Sequence, residues 1–295
     1  MGPRVDSTYA EAFTMRATRL IITAHDDAFV RLAAQNFCGH SSSVIGCELE
    51  AGVERFVPAS ETPDNRPGVS LLAFATSRKG LEAQVTLRVG QNVLTCPTTA
   101  CYGGMDSERS ENIKLGAQLR YFGDGFQIAK KLGNRRFWRV PVMDGEFVID
   151  DVTGTCKGIG GGNLIVTGRK ANAIVPAMRR AVAAIDKIPG AITPFPTGIV
   201  RSGSKVGSKY PKLSASTNHK WCPTLKGFRE TEMTDEENAA YEIVIDGIDE
   251  EAVAAAMKAA MRSLLDEDEV IRISAGNYGG ALGKHHFHLQ ELMAQ

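Results

Sequence analysis

No two cysteines in this chain are spaced C-x-x-C, and the six present, at 38, 47, 96, 101, 156 and 222, follow none of the spacings that small disulfide frameworks use. They read as free, buried thiols. Nowhere do eighteen apolar residues stand together, and the N-terminal MGPRVDSTYAEAFTMRATRL has no basic segment followed by a long apolar run. Neither a spanning helix nor a secretion signal is therefore expected, and Pro3 fits a myristoylation signal at Gly2 poorly. Net charge is missing too: 34 Lys plus Arg balance 34 Asp plus Glu. That balance gives no global reason to expect nucleic acid or a membrane surface as partner. The expectation is a cytoplasmic protein.

What is there suits a folded enzyme-sized chain: 295 residues, 43% hydrophobic and 23% charged, with 30 Gly and 12 Pro and no low-complexity stretch. A chain of this length buries roughly three quarters of its unfolded surface. RLIITA, from Arg19, reads as a strand, and DDAFVRLAAQNF as a helix with Phe29, Leu32, Ala33 and Phe37 on one face. SSVIGC is expected as a second strand, GVSLLAFAT as a third, SRKGLEAQVTLRVG as a helix aligning Leu81, Val85 and Val89, and QNVLT as a fourth strand. The far half repeats the order. NLIVTG leads to the helix RKANAIVPAMRRAVAAIDK, with Ile174, Met178, Val182 and Ile185 inward; then come AIT, YEIVIDG, the helix DEEAVAAAMKAAMRSLL capped by Asp249, and EVIRIS. Each half then carries Tyr-Gly-Gly, at 102–104 and 278–280. The expected fold is α+β: two ferredoxin-like lobes related by duplication, 1–146 and 147–295, with β-hairpins around FQIAKKLGNRRFWRVPVMDGEFV between them.

Charge is local rather than global. Between Lys187 and Arg229 there are eight basic residues and no carboxylate, whereas Glu230 to Glu251 holds ten acidic residues and no basic one. Two solvated faces of opposite sign would explain this, and so would a site for an anion. Inside the basic run, GIVRSGSKVGSKYPKLSASTN (198–218) offers Ser202, Ser204, Lys205, Ser208 and Lys209 on an irregular loop. It lacks the G-x-x-x-x-G-K-[ST] spacing of a phosphate loop, and GIGGGNLIVTG fails as a dinucleotide fingerprint because Asn163 takes the third glycine position. Carboxylates or phosphate on a large ligand remain. The run Lys284-His285-His286-Phe287-His288 has no carboxylate or Cys partner at ligand spacing, so no metal is expected. In YEIVIDG, alternation puts Tyr241, Ile243 and Ile245 on one face and Glu242 with Val244 on the other. If both faces are covered, Glu242 is a carboxyl able to exchange a proton near neutral pH; an exposed strand-end Glu is the alternative.

TPDNRPGV (62–69), CPTTA (96–100), FGDGF (122–126), ITPFPTGIV (192–200), SGSKVGSKY (202–210), STNHKWCPTL (216–225), YEIVIDG (241–247) and AGNYGG (275–280) together resemble the formylmethanofuran:tetrahydromethanopterin formyltransferases, nearly end to end and nearest the version in methylotrophic bacteria. The resemblance implies formyl transfer between the amine of methanofuran and N5 of tetrahydromethanopterin, both as substrates, with no tightly bound cofactor. It also implies two ferredoxin-like lobes, a homotetramer, and work beside formylmethanofuran hydrolase-like subunits. On it, Glu242 becomes the acid-base, and Lys205 and Lys209, with Ser202, Ser204 and Ser208, become holders of an anionic carrier tail. Phe195 packs on a ring, and Asn277 with Tyr278 and Gly279 contacts the oxyanion or the pterin. Three positions depart from the family pattern: Asn65 and Thr197 stand where Gly is usual, and Ala281 where Lys is frequent. The competing readings are a non-catalytic carrier-binding or assembly subunit and a small-molecule-sensing module.

Overall fold

The computed structural model describes residues 2–106, 111–281 and 283–294. The chain divides into two compact units, Met15–Gly158 and Met1–Thr14 with Ile159–Gln295.

Within Met15–Gly158, the strand Tyr9–Thr23 runs antiparallel between Gly68–Ala75 and Ala100–Gly103, and Glu50–Val57 pairs outside Gly68–Ala75. The helix Asp27–Cys38 starts where the Asp26 carboxylate accepts the N–H of Phe29 at 3.0 Å. It buries Val30, Ala33, Ala34 and Phe37 against the sheet. Leu32, expected inward, is 49% exposed; the adjacent small residues Ala33 and Ala34 let the helix lie close to the sheet and turn Leu32 outward. The helix Arg78–Arg88 buries Leu81 and Val85, and a π-turn over Val89–Val93 extends the same stripe to Val89 and Val93. QNVLT therefore forms no strand, which begins only at Ala100. SSVIGC is not a strand either. Val44–Cys47 is one helical turn, its first N–H taken by the Glu50 carboxylate at 2.8 Å and its end set by Glu48 at φ 60°. The hairpins expected between the lobes are present as Ile128–Leu132, Arg135–Val142 and Gly145–Asp150, but they belong to the Met15–Gly158 unit rather than joining two.

In the other unit, the strand Val152–Gly168, from Ile159 onward, lies antiparallel between Ala239–Gly247 and Val270–Ser274. Ala191–Ile192 pairs outside Ala239–Gly247 and Arg4–Val5 outside Val270–Ser274. The helices Ala171–Ile185 and Glu250–Leu264 supply Ile174, Met178, Val253, Met257 and Met261 to one core with Leu164, Val166, Ile243 and Ile245. Asp249 caps the second helix, accepting from the N–H of Ala252 at 2.8 Å. Each unit thus has the order strand, helix, strand, strand, helix, strand, laid out across its sheet as fourth, first, third, second. The Tyr-Gly-Gly match is not part of that likeness. Ile21 stands opposite Tyr102 inside a strand, whereas Ile165 stands opposite Ser274, and Tyr278 comes after the strand has ended. Among the described residues no helix is long and apolar enough to cross a membrane.

The segment 193–238, which carries the basic run, is tied to this sheet by a buried ion pair. Glu237 is fully buried and Arg272, on the strand Val270–Ser274, is 4% exposed. The guanidinium meets both carboxylate oxygens at 2.7 Å and donates to the Glu232 carbonyl at 2.7 Å, while Trp221 lies against it with its ring centre 4.7 Å away. Thr167 Oγ1 and the N–H of Thr234 complete the carboxylate's partners, each at 2.7 Å. Burial pushes the Glu237 carboxyl up, but the hydrogen bonds from Thr167 and Thr234 and the charge and hydrogen bonds of Arg272 outweigh it and hold it below its ordinary value. Its stabilisation is therefore complete above the unfolded value of 4.5 and is lost as pH falls through the lower folded one. Glu237→Gln strands a buried guanidinium and is expected to cost about 3–5 kcal/mol in urea unfolding at neutral pH; a loss under about 1 kcal/mol would show that the pair does not hold the segment. Two of the unusual residues sit where backbone conformation explains the usual glycine: Asn65 has φ 56° and Thr197 φ 64°. Thr197, being β-branched, bears the larger strain, and Thr197→Gly is expected to raise stability by about 1 kcal/mol in the same assay.

Candidate active site

A cavity of about 640 Å³ opens in the unit that contains Glu242. Its floor is Asn163 and Ile165 from the central strand, with Glu242 beside them from Ala239–Gly247. One wall is the basic segment, through Ser204, Lys205, Asn218 and Trp221; the other is the chain from Ser274 to Tyr278. A smaller recess on the other side of Glu242, also bounded by Ile165 and Trp221, receives Ser202. The Arg272–Glu237 pair fixes Trp221 from behind, so the wall's position follows from the anchor of the segment.

Glu242 is held by its backbone: its N–H donates to Val200 O at 2.9 Å and its carbonyl accepts from Val200 N at 2.7 Å. Its carboxyl has no hydrogen-bond partner among the described residues and is half-buried, with Ile165 on the facing strand. Burial without a compensating donor pushes its pKa up to about 7. From about pH 4.5 to 7 the folded chain keeps a proton there that the unfolded chain has lost, so this group's contribution to stability falls as pH rises. The Tyr278 hydroxyl is also raised, first by burial and then by the charges of Glu242 and Glu11, which brings tyrosine and glutamate into one electrostatic neighbourhood.

Five of the ten sequence-predicted residues, Ser204, Lys205, Glu242, Asn277 and Tyr278, line the main cavity, and Ser202 lines the recess. Lys205 has no carboxylate partner among the described residues, although the basic and acidic runs otherwise fold onto each other: Lys220 meets Glu230 at 3.1 Å and Glu232 at 3.0 Å. The other four do not line it. Lys209 is exposed, with its ammonium 5.0 Å from the Tyr210 ring centre. Ser208 accepts the N–H of Tyr210 at 3.0 Å, Phe195 is half-buried before a 3₁₀ turn at Pro196, and Gly279 donates its N–H to Asn277 Oδ1 at 3.2 Å. The Asn277 amide is in turn spent on Thr8 Oγ1 and Tyr9 O, and the N–H of Tyr278 on Glu11. This loop therefore offers the cavity the Tyr278 side chain rather than backbone donors.

Sequence reasoning passed over Asn163 as a site residue, yet its amide brackets Gly276, accepting from the N–H at 2.6 Å and donating to the carbonyl at 3.1 Å. A polar residue opening an otherwise apolar strand was the available signal. Trp221 lay inside a quoted motif without a role, and Glu11 had no signal at all. The histidines near the C-terminus are structural: His285 bridges Glu250 at 2.5 Å and Thr14 at 2.8 Å, and Tyr9 lies against His286 and His288. No two of the six cysteines form a disulfide, though only Cys101 is fully buried. Burial pushes the Cys38 thiol up to about 12 and that of Cys101 higher still, which removes both as nucleophiles. The unit Met15–Gly158 has its own cavity of about 510 Å³, lined by Arg135, Arg136, Asp150 and Asp151 and holding none of the sequence-predicted residues.

Comparison with known proteins bears on this geometry. The family model described as formylmethanofuran-tetrahydromethanopterin formyltransferase matches residues 1–142, and that described as the proximal lobe of the same enzyme matches 145–292. The formylmethanofuran--tetrahydromethanopterin formyltransferase of Methylococcus capsulatus is 51% identical over 99% of both chains. Among solved structures, a chain of the formyltransferase/hydrolase complex of Methylorubrum extorquens, in complex with methylofuran, superposes with a TM-score of 0.95 at 45% identity, covering 98% of this chain and 96% of that one. The formyltransferase of Methanosarcina barkeri superposes with a TM-score of 0.92 at 41% identity, covering 99% and 98%. The chain belongs to the formylmethanofuran-tetrahydromethanopterin formyltransferase family and is an enzyme of formyl transfer.

Proposed function

We propose that the Glu242 cavity is where a formyl group passes between the amine of methanofuran, or an analogue, and N5 of tetrahydromethanopterin, with Glu242 as the acid-base. The observation that carries this is a carboxyl at a cavity of about 640 Å³, without a hydrogen-bond partner among the described residues and pushed up to about 7. The receiving nitrogen attacks the formyl carbon, the carbonyl becomes a tetrahedral oxyanion, and the bond to the first nitrogen breaks. One proton must leave the attacking nitrogen and one must reach the departing one. A group titrating near neutrality can donate in its acid form and accept in its base form, whichever way the reaction runs. In the acid form it also offers the oxyanion a hydrogen bond in a water-poor site.

Lys205, with Ser202 and Ser204, is suited to the anionic tail of one carrier, its charge being uncommitted within the described residues; Ser208 and Lys209 extend that surface outward. We assign Tyr278 to the oxyanion or the pterin, Asn277 and Gly279 to the loop that carries it, and Phe195 to packing on a ring. The shared strand order of the two units favours two ferredoxin-like lobes related by duplication, and the family-model segments favour a linear boundary near Glu146. We further propose a cytoplasmic homo-oligomer, a tetramer, or assembly with formylmethanofuran hydrolase-like subunits, on the likeness to the Methylorubrum complex.

Glu242→Gln is expected to lower formyl transfer roughly 10²- to 10⁴-fold while both carriers still bind. Following formyl-tetrahydromethanopterin spectroscopically decides it: unchanged turnover would remove Glu242 from the mechanism. A wild-type protein that binds carriers without exchange would favour the non-catalytic subunit. Lys205→Ala is expected to weaken binding of one carrier about tenfold with kcat preserved; unchanged binding of both carriers would remove the lysine from tail recognition.

A further inference from the structure

Glu11 is 1% exposed on the strand Tyr9–Thr23, between Ala10 and Ala12, which are both fully buried. Its carboxylate accepts three backbone N–H groups from one loop: Tyr278 at 2.6 Å, Gly280 at 3.0 Å and Gly283 at 2.5 Å. Gly279 at φ 71° and Gly280 at φ 75° take the left-handed conformation, and the turn brings the N–H groups on either side of Gly279 to the carboxylate as an anion nest, while the Gly279 N–H goes to Asn277 Oδ1. Here the anion is the chain's own. At Gly283 a Cβ would lie 2.3 Å from the Ala12 carbonyl oxygen, so only glycine lets the loop come this close to the strand. Two further ties run the same way, from the N–H of Glu11 to Gly276 O and from the Asn277 amide to Tyr9 O.

The loop so gathered carries Tyr278 into the cavity that holds Glu242. We propose that Glu11 is a positioning residue for formyl transfer: by filling the nest made by the N–H groups of Tyr278, Gly280 and Gly283 it presents the Tyr278 phenol to the reacting centre beside Glu242. It touches neither carrier and acts only through the tyrosine. The inference rests on the reading of Glu242 given above. Glutamine at position 11 keeps the length but replaces one acceptor oxygen by an NH₂ that confronts backbone donors, which loosens the nest without emptying it.

A double-variant cycle combined with amide hydrogen exchange tests this. Glu11→Gln is expected to lower kcat roughly 10- to 100-fold, to speed exchange in the 276–281 stretch, and to leave exchange in Ala239–Gly247 unchanged. Tyr278→Phe is expected to lower kcat as well, and the double variant to be no slower than Tyr278→Phe alone within about twofold, because the first change has nothing left to act through. Multiplying losses, a Tyr278→Phe variant of undiminished kcat, or a loop whose exchange is unmoved would each overturn the proposal. Glu11→Asp, which keeps the charge and shortens the reach, carries the same cycle if the glutamine variant does not fold. Glu242→Gln gauges the underlying reading separately: full turnover there would remove the acid-base, while the exchange data would still report whether Glu11 holds the loop.

Discussion

A guanidinium and a carboxylate, both withdrawn from water, hold the active region together. Arg272 and Glu237 meet through two hydrogen bonds with almost no exposure, and around them the pair also engages Thr167, Thr234, the Glu232 carbonyl, Asp6 and the face of Trp221. Such a pair contributes little net stability compared with an apolar core, but it is costly to break from one side, which makes it a specific latch. What it latches is the segment 193–238, a stretch of short turns and two brief strands that could not hold a position by its own secondary structure. With the segment in place, Trp221 and Lys205 wall the cavity and Glu242 loses hydration. Burial of Glu242 pushes its pKa up to about 7, and Trp221 and Lys205 are among the residues that wall it in.

The elements that sequence made legible are those whose pattern is local. The helix Glu250–Leu264 has its cap, its acidic first turn and its inward Val253, Met257 and Met261 all within one run. The strand Ala239–Gly247 shows its alternation directly, which is why Glu242 could be singled out. Elsewhere a neighbouring residue or element captured the segment. SSVIGC has strand-like composition, but the Glu50 carboxylate caps it as a helical turn. QNVLT was absorbed by a helix whose apolar stripe continues past the expected end. The site divides likewise. Lys205 and Glu242 were visible as charges out of pattern; Glu11, Asn163 and Arg272 become meaningful only once strands far apart in sequence are paired.

The two units differ at the place of Glu242, the residue proposed as the acid-base. Ile165 faces Glu242, whereas Ile21, at the matching place in the other unit, faces Ser70. The Ser70 hydroxyl donates to Glu54 at 2.6 Å, and Glu54 is bound through both oxygens by Arg19. The likeness of architecture does not extend to these carboxyls: that of Glu242 has no hydrogen-bond partner among the described residues.

That isolation is the claim on which the mechanism stands, and a site-resolved titration tests it most directly. Carboxyl carbon-13 shifts of labelled glutamate, assigned to position 242 by their loss in Glu242→Gln, can be followed against pH in the protein without carriers. The account expects a midpoint near 7. A midpoint near 4.5, in line with an ordinary glutamate, would contradict it.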